Sequence, residues 1–381
     1  MNKFLLFLLM NLMAVLLAVP ANVQATDDGR GTVKTVSNDI SIRIGGTLQP
    51  RFTYTYDGGI DGAEDATERV GFGLRRLRVR LYTDIGDRLG VFLQMEGSGS
   101  SATWLDVRGE YRMNDHFTLR TGRFVGTQPR AYARTLHSCI DAIDRPAISD
   151  IWARMTIGAD GRDYGVEAFW NSPNYEFRAF LHNGYNQSNF RSGISNFPAT
   201  GGIDTDGFAF SASGTWWPSD RDELEIGAYA GINTAKNPLT QLSGIGRNYV
   251  NYSAQFYWGP LPGDQPFRVK ADLIGISYQE VEIFGAENYI GGSLFGSVLV
   301  APQVEVFAMG EYWYGDRGNR ESFGQTFATA GATYSLSALQ GRPFQNNRIT
   351  LAYSLRAHES DLLNFDRDPA HVLMLQSQFY F

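Results

Sequence analysis

The chain is nearly free of lysine and has a single cysteine. Lys3, Lys34, Lys236 and Lys270 are its only lysines, so 29 of the 33 basic residues are arginine. Cys139, alone, can form neither an intrachain disulfide nor a thiolate zinc cluster. The histidines (His116, His137, His182, His358 and His371) show no H-x-H or i, i+4 metal spacing, and no cofactor is expected. The acidic stretch Asp57-Gly58-Gly59-Ile60-Asp61-Gly62 lacks the remaining ligands of a calcium loop. The nucleophile elbow G-x-S-x-G is missing. His137-Ser138 is a sequence adjacency, which does not bring nucleophile, base and orienter together, so no enzyme is expected. After residue 25 no apolar run approaches the ~20 residues that a transmembrane helix needs. A chain of this kind enters a bilayer as strands.

The N-terminus does carry an apolar segment. Lys3 precedes the run Phe4 to Val19, and Val23-Gln24-Ala25 fits a small-residue cleavage site. Residues 1–25 therefore read as a signal peptide, 26–39 as a flexible periplasmic lead-in, and 40–381 as one domain.

The whole chain is rich in glycine (42 residues) and in aromatics (13%), with charge at only 19%, the balance of a β-rich membrane chain. Net charge is −7, but its distribution is uneven. Between Arg69 and Arg162, 15 arginines face 10 acids, a surplus of +5. The basic excess is local, which excludes a nucleic-acid partner recognised through overall charge.

Arg75-Arg76-Leu77-Arg78-Val79-Arg80-Leu81 is the most telling stretch. On a strand, Arg76, Arg78 and Arg80 share one face and Leu77, Val79 and Leu81 the other. A transmembrane barrel suits both faces, with lipid on one and water on the other. Glu96 with Gln94 and Phe92 repeats the pattern on the next segment. Trp104, Asp106, Arg108, Glu110 and Arg112 repeat it on the one after.

Amphipathic stretches near 40–56, 69–83, 89–97, 102–113, 116–124, 161–171, 174–183, 205–217, 222–236, 246–259, 264–279, 288–301, 302–314, 323–337, 347–359 and 369–381 predict about 16 antiparallel strands. Gly86-Asp87, Asn114-Asp115, Ser172-Pro173, Pro218-Ser219-Asp220 and Ala301-Pro302 mark short turns, expected on the periplasmic side. Longer connections fall at 57–68, 125–160, 184–204 and 237–245, expected outside the cell. The segment 125–160 is too long for a simple connection; we expect it to fold into the barrel and narrow the pore, with an external cap over the barrel mouth as the alternative. Trp170, Trp216, Trp217, Tyr257, Trp258, Tyr312, Trp313 and Tyr314 lie near strand ends, where interfacial girdles are built. The last strand ends in Phe379-Tyr380-Phe381. Such an aromatic terminus resembles the signal by which barrel-assembly machinery recognises its clients.

The pore candidates are Arg76, Arg78, Arg80, Arg108 and Arg112 on strands, with Arg130 and Arg134 on the long segment. Arginine stays charged and presents a fixed fork of donors to an anion. Glu96, Asp106 and Glu110 are expected to hold neighbouring arginines and set the net field.

Several motifs together resemble the phosphate-selective porin O and P family. They are Phe72-Gly73-Leu74-Arg75-Arg76-Leu77-Arg78-Val79, Asp106-Val107-Arg108-Gly109-Glu110-Tyr111, Leu119-Arg120-Thr121-Gly122-Arg123-Phe124, Gly161-Arg162-Asp163-Tyr164-Gly165-Val166 and Arg178-Ala179-Phe180-Leu181-His182-Asn183-Gly184. The resemblance implies a trimeric outer-membrane barrel whose inward third loop and arginine ladder guide anions such as phosphate. Where the family often reads Gly-Gln-Phe-Lys, this chain reads Gly122-Arg123-Phe124-Val125. The expected function is a passive outer-membrane channel for small hydrophilic solutes, biased to anions. A non-selective porin and a plugged structural or adhesion barrel are the alternatives.

Overall fold

A computed structural model describes residues 32–37, 39–59, 66–157, 160–184, 207–234, 248–281, 285–318, 320–360 and 368–381. The signal-peptide reading of residues 1–25 lies outside the described residues, as do most of the connections at 184–204 and 237–245.

All 16 strands expected from the sequence are present, with ends within about four residues of expectation. They are β2 (Ile40–Asp57), β3 (Thr67–Ile85), β4 (Leu89–Glu96), β5 (Thr103–Arg112), β6 (Phe117–Phe124), β7 (Asp163–Asn171), β8 (Tyr175–His182), β9 (Ala209–Trp216), β10 (Leu224–Asn233), β11 (Tyr249–Trp258), β12 (Phe267–Val281), β13 (Gly285–Ala301), β14 (Val304–Arg317), β15 (Arg320–Ser335), β16 (Arg348–Ser360) and β17 (Ala370–Tyr380). Each pairs antiparallel with the next, and β17 returns to β2, closing a 16-stranded barrel. At the seam Gly46 N–H donates to the Phe381 carbonyl at 2.6 Å. A Cβ on Gly46 would sit 2.4 Å from the Phe381 ring, so the closure needs glycine there.

Part of the predicted flexible lead-in is a strand. β1 (Thr32–Ser37) pairs with β2 from Ile40 to Ile44, along the part of that edge that β17 does not reach. Its Thr-Val-Lys-Thr-Val sequence has the β-branched content that suits an extended chain.

Alternation along the strands separates two environments. In β11, Tyr249, Asn251, Ser253, Gln255 and Tyr257 are buried, while Val250, Tyr252, Ala254, Phe256 and Trp258 are exposed. The outward face is mostly apolar, including Val79, Val107, Leu119, Phe210 and Leu294. This is the face that lipid requires. No helix among the described residues is long and apolar enough to cross a membrane. Of the residues expected in the girdles, Trp216, Trp258, Tyr312 and Tyr314 are exposed on the outer face. Tyr257 and Trp313 instead point inward, because strand parity overrides position along the strand, and Trp217, just past β9, is buried.

The segment after β6 folds into the barrel, as expected. It carries single turns at Arg130–Arg134 and His137–Cys139 and one helix, α1 (Ala147–Met155). Ile148, Trp152, Ala153 and Ile157 pack on Tyr229, Tyr249, Ile274, Ile276, Tyr289 and Trp313, inward residues of β10 to β14. Pro146 offers no cap to the helix, so Glu311 on β14 accepts the Ile148 N–H at 3.1 Å. An acidic side chain at this end also complements the positive end of the helix dipole.

Polar anchors fix the segment elsewhere. Asp141 accepts from Arg268 at 2.6 Å and from Lys270 at 2.8 Å on β12. Gln378 on β17 donates to the Ser138 carbonyl at 3.2 Å. Gly161, at φ +69°, turns the chain back to β7 where a side chain would strike the Tyr132 ring. The lumen is thereby divided. One side is filled by α1, and the side lined by β3 to β8 stays open.

Candidate functional site

The open side is a cavity of about 570 Å³. Its lining holds 11 arginines (Arg75, Arg76, Arg78, Arg80, Arg108, Arg120, Arg134, Arg145, Arg154, Arg162 and Arg178) against four carboxylates, Glu96, Asp106, Asp150 and Asp160. The surplus is seven positive charges. It comes from both the barrel wall and the folded-in segment, so the wall arginines face no purely acidic surface.

Strand geometry places the ladder. Arg76, Arg78 and Arg80 point inward on β3 and all line the cavity. Arg75 joins them through a bulge: Gln49 pairs with Arg76 and Pro50 with Leu74, leaving Arg75 unpaired. Pro50 has no N–H to give to the ladder, so the interruption falls there. A second bulge, between Gln94/Met95 and Asp106/Trp104, turns Trp104 outward and brings Leu105 to the cavity. The sequence alternation had grouped Trp104 with Asp106 and Arg108, and the bulge undoes that grouping.

The charges pair unevenly. Arg78 Nε meets Glu96 at 2.7 Å. Glu110 lies 2.8 Å from Arg108 and 3.0 Å from Arg120. Asp106 holds Arg162 at 3.0 Å rather than the nearer-in-sequence Arg108. Arg76 and Arg80 instead donate to neutral acceptors. Arg76 Nη1 reaches Gln49 Oε1 at 2.8 Å, and Arg80 reaches the Tyr380 hydroxyl at 2.7 Å and the Gly46 carbonyl at 2.9 Å. Arg145 likewise donates to the Tyr132 and Thr135 carbonyls, at 2.9 and 2.8 Å. These three keep their charge uncompensated by any ion pair among the described residues.

Of the expected site residues, Arg76, Arg78, Arg80, Arg108, Arg134, Glu96 and Asp106 line the cavity. Glu110 stands just behind it and holds two lining arginines. Arg112 and Arg130 do not line it. Arg112 pairs with Asp84 beside the β3–β4 turn. Arg130 points the other way, onto Glu225 of β10 at 2.9 Å, and ties the segment to the wall. The lining arginines absent from the expected set include Arg162 and Arg178. Parity shows Arg178 sharing a face with Glu176, a signal available in the sequence.

His137 sits under the ladder, buried. Its Nδ1 is 3.4 Å from Arg78 Nη1 and its Nε2 is 2.6 Å from Thr47 Oγ1. Arginine can only donate, so Nδ1 accepts and Nε2–H donates to Thr47. Burial first, then the charges of Arg78, Arg80 and Arg76, push the His137 pKa well below the usual value. Arg134 is brought down to about 10 by burial and by Arg178, against the pull of Glu176. It therefore remains charged at neutral pH.

Asp163, His182 and Ser211 form a chain of side chains with the geometry of a hydrolytic triad. His182 Nδ1 is 2.7 Å from Asp163 and Nε2 is 3.0 Å from Ser211 Oγ. All three are buried, none lines the arginine cavity, and the Ser211 hydroxyl also touches Tyr229 OH at 3.3 Å. The chain of contacts ties β7, β8, β9 and β10 together. Among the described residues no group of side chains is arranged to hold a metal ion.

Solved structures with the same fold are outer-membrane porins and channels. An anion-selective porin from Comamonas acidovorans superposes with a TM-score of 0.62 at 14% identity, over 90% of this chain and 100% of that one. The outer membrane channel DcaP of Acinetobacter baumannii gives 0.60 at 14%, over 92% and 99%. Salmonella typhi OmpF gives 0.58 at 12%, over 91% and 100%. No protein-family model matches the chain, and no curated protein matches it either.

Proposed function

We propose that this chain is an outer-membrane porin, a passive diffusion channel for small hydrophilic solutes with a bias to anions. The observation that carries the reading is the cavity lining, 11 guanidiniums against four carboxylates inside an apolar-faced barrel. Solutes move by electrodiffusion, and no bond is made or broken. An anion loses part of its water shell and meets successive guanidinium forks in its place. The uncompensated Arg76, Arg80 and Arg145 set the sign of the field. A unit charge 4 Å from an anion is worth about 4 kcal/mol at an effective dielectric of ~20, enough to sort ions by sign.

The fold neighbours support this reading, one of them being described as an anion-selective porin. Phosphate belongs among the anions through the resemblance to the phosphate-selective porin O and P family. We place the mature chain in the outer membrane after removal of residues 1–25, with Phe381 as its assembly signal. A homotrimer is the assembly we propose, in keeping with the trimer form described for the neighbour OmpT of Vibrio cholerae.

A general porin without charge preference is the competing reading. It is favoured by the pairs Arg78–Glu96 and Arg108–Glu110, which cancel part of the ladder. Purified protein in a planar bilayer under a KCl gradient decides between them. The reversal potential has the sign of anion selectivity, and Arg76→Ala with Arg80→Ala moves it toward zero. A cation-selective sign overturns the reading, and a barrel that does not conduct is plugged.

A further inference from the structure

Within the arginine cavity one side chain is out of character. Leu136 is 57% exposed and lines the passage together with Arg76 and Arg78. Among the described residues, the other exposed large apolar side chains lie on outward strand positions or in turns, and Leu136 is the only one in the segment 125–160. Exposed leucines on the outside meet lipid, whereas this one meets water in the lumen.

Its position is not left to chance. The preceding carbonyl, of Thr135, accepts from Arg145 at 2.8 Å. The following side chain, His137, is clamped between Thr47 and Arg78. The backbone on both sides of Leu136 is thus held by guanidiniums and a hydroxyl. Val125, Leu105, Tyr132, Tyr82 and Phe92 add hydrocarbon to the same lining. Tyr82 and Phe92 stand ring to ring at 4.6 Å, next to the inner end of the arginine track.

An inorganic anion gains nothing from such a surface. A carboxylate with an apolar body gains on both counts, its charge on the guanidiniums and its body on the hydrocarbon, at about 25 cal/mol per Å² removed from water. The cavity is within the range of ~300–1,000 Å³ that small organic ligands occupy.

We infer that the passage prefers organic carboxylates with an apolar body, an aromatic acid such as benzoate, over inorganic or small aliphatic anions of similar charge. This rests on the anion-channel reading and deepens it by naming the solute class. Leu136 would be the determinant of that preference.

The test is block of chloride current in planar bilayers by benzoate, acetate and inorganic phosphate at pH 7.5. In the wild type, half-block by benzoate is expected at a concentration about fivefold to tenfold below that for acetate, the effect of ~1 kcal/mol of apolar contact. Leu136→Ser, an exposed position whose change leaves the packing alone, is expected to bring the two within about twofold. Leu136→Phe is expected to widen the gap. Equal block by benzoate and acetate in the wild type, or a ratio unchanged in both variants, overturns the inference. Reversal potentials on the same channels keep the two claims apart. Anion selectivity without a benzoate preference sinks only the solute class. Cation selectivity sinks the channel reading beneath it.

Discussion

Arg51 and Asp144 face each other as two forks, Nη1 to Oδ2 at 2.7 Å and Nη2 to Oδ1 at 2.9 Å. The pair ties the folded-in segment to β2, beside the ladder. Arg75 adds a third contact to the same carboxylate at 3.0 Å. Bidentate arginine–carboxylate pairs fix geometry as well as contributing energy. Asp144→Asn keeps the shape and removes the charge, leaving Arg51 only its neutral acceptors, Gln376 and the Ile143 carbonyl. The expected cost is about 1–3 kcal/mol of docking. Single-channel traces should then show frequent conductance steps where the wild type is steady, and trypsin should cut after Arg134, which Thr135 follows.

Docking also depends on pH through His137. Its folded pKa lies below the ordinary value of about 6.5, so the undocked segment binds a proton that the docked one does not. Stability is full above about pH 6.5 and is lost as pH falls through it. The loss grows as pH falls below that value, by no more than about 1.4 kcal/mol per pH unit. Asp144 does not add to it in that window. Arg51 and Arg75 outweigh burial and hold its pKa below the usual carboxylate range, so its contribution persists until stronger acid. Channel noise should rise from pH 7 to 5 in the wild type and stay flat in His137→Gln, which keeps the donor to Thr47. Equal pH dependence in both would refute the role of the imidazole.

Selectivity follows net charge in the lining, not arginine count. Arg78 and Glu96 are neutral as a pair. The double variant Arg78→Ala with Glu96→Gln should keep the wild-type reversal potential, while Arg76→Ala with Arg80→Ala loses much of it. If the first pair of changes matters as much as the second, the local ladder rather than the net field governs permeation.

Trp152 has no exposed surface and carries α1 onto Tyr132 and Tyr229. Trp152→Ala is expected to cost about 3–5 kcal/mol of packing. The helix would leave its seat and the lumen would widen. The measurement is conductance in 1 M KCl, which should rise, with the barrel itself still resisting SDS at room temperature.

Ser211 should not react with a fluorophosphonate probe, because its hydroxyl is closed off by His182 and Tyr229. Labelling that disappears in Ser211→Ala would mean the triad geometry is open to a substrate after all.

The sixteen strands and their inward faces were readable in the chain because a strand repeats every two residues, and each segment carries its own pattern. Hence Arg76, Arg78, Arg80 and Arg108 could be placed in the lumen from local alternation alone. Arg75 could not, since its direction depends on a bulge opposite Pro50, contributed by another strand. Arg130 and Arg134 looked alike in sequence, yet one ties the segment to Glu225 and the other lines the passage. Their roles were set by where the segment docks.

The sequence by itself determined a closed sheet with an oily outside and a charged inside, since period-two patterning is a local property of each strand. Only the tertiary structure decided which arginines are cancelled and which remain free. That is a matter of cross-strand register and of a 36-residue segment meeting walls far away in the chain, from Thr47 to Gln378. Charge pairing needs atoms within about 4 Å, and such nearness between distant residues exists only after the barrel has closed around the segment.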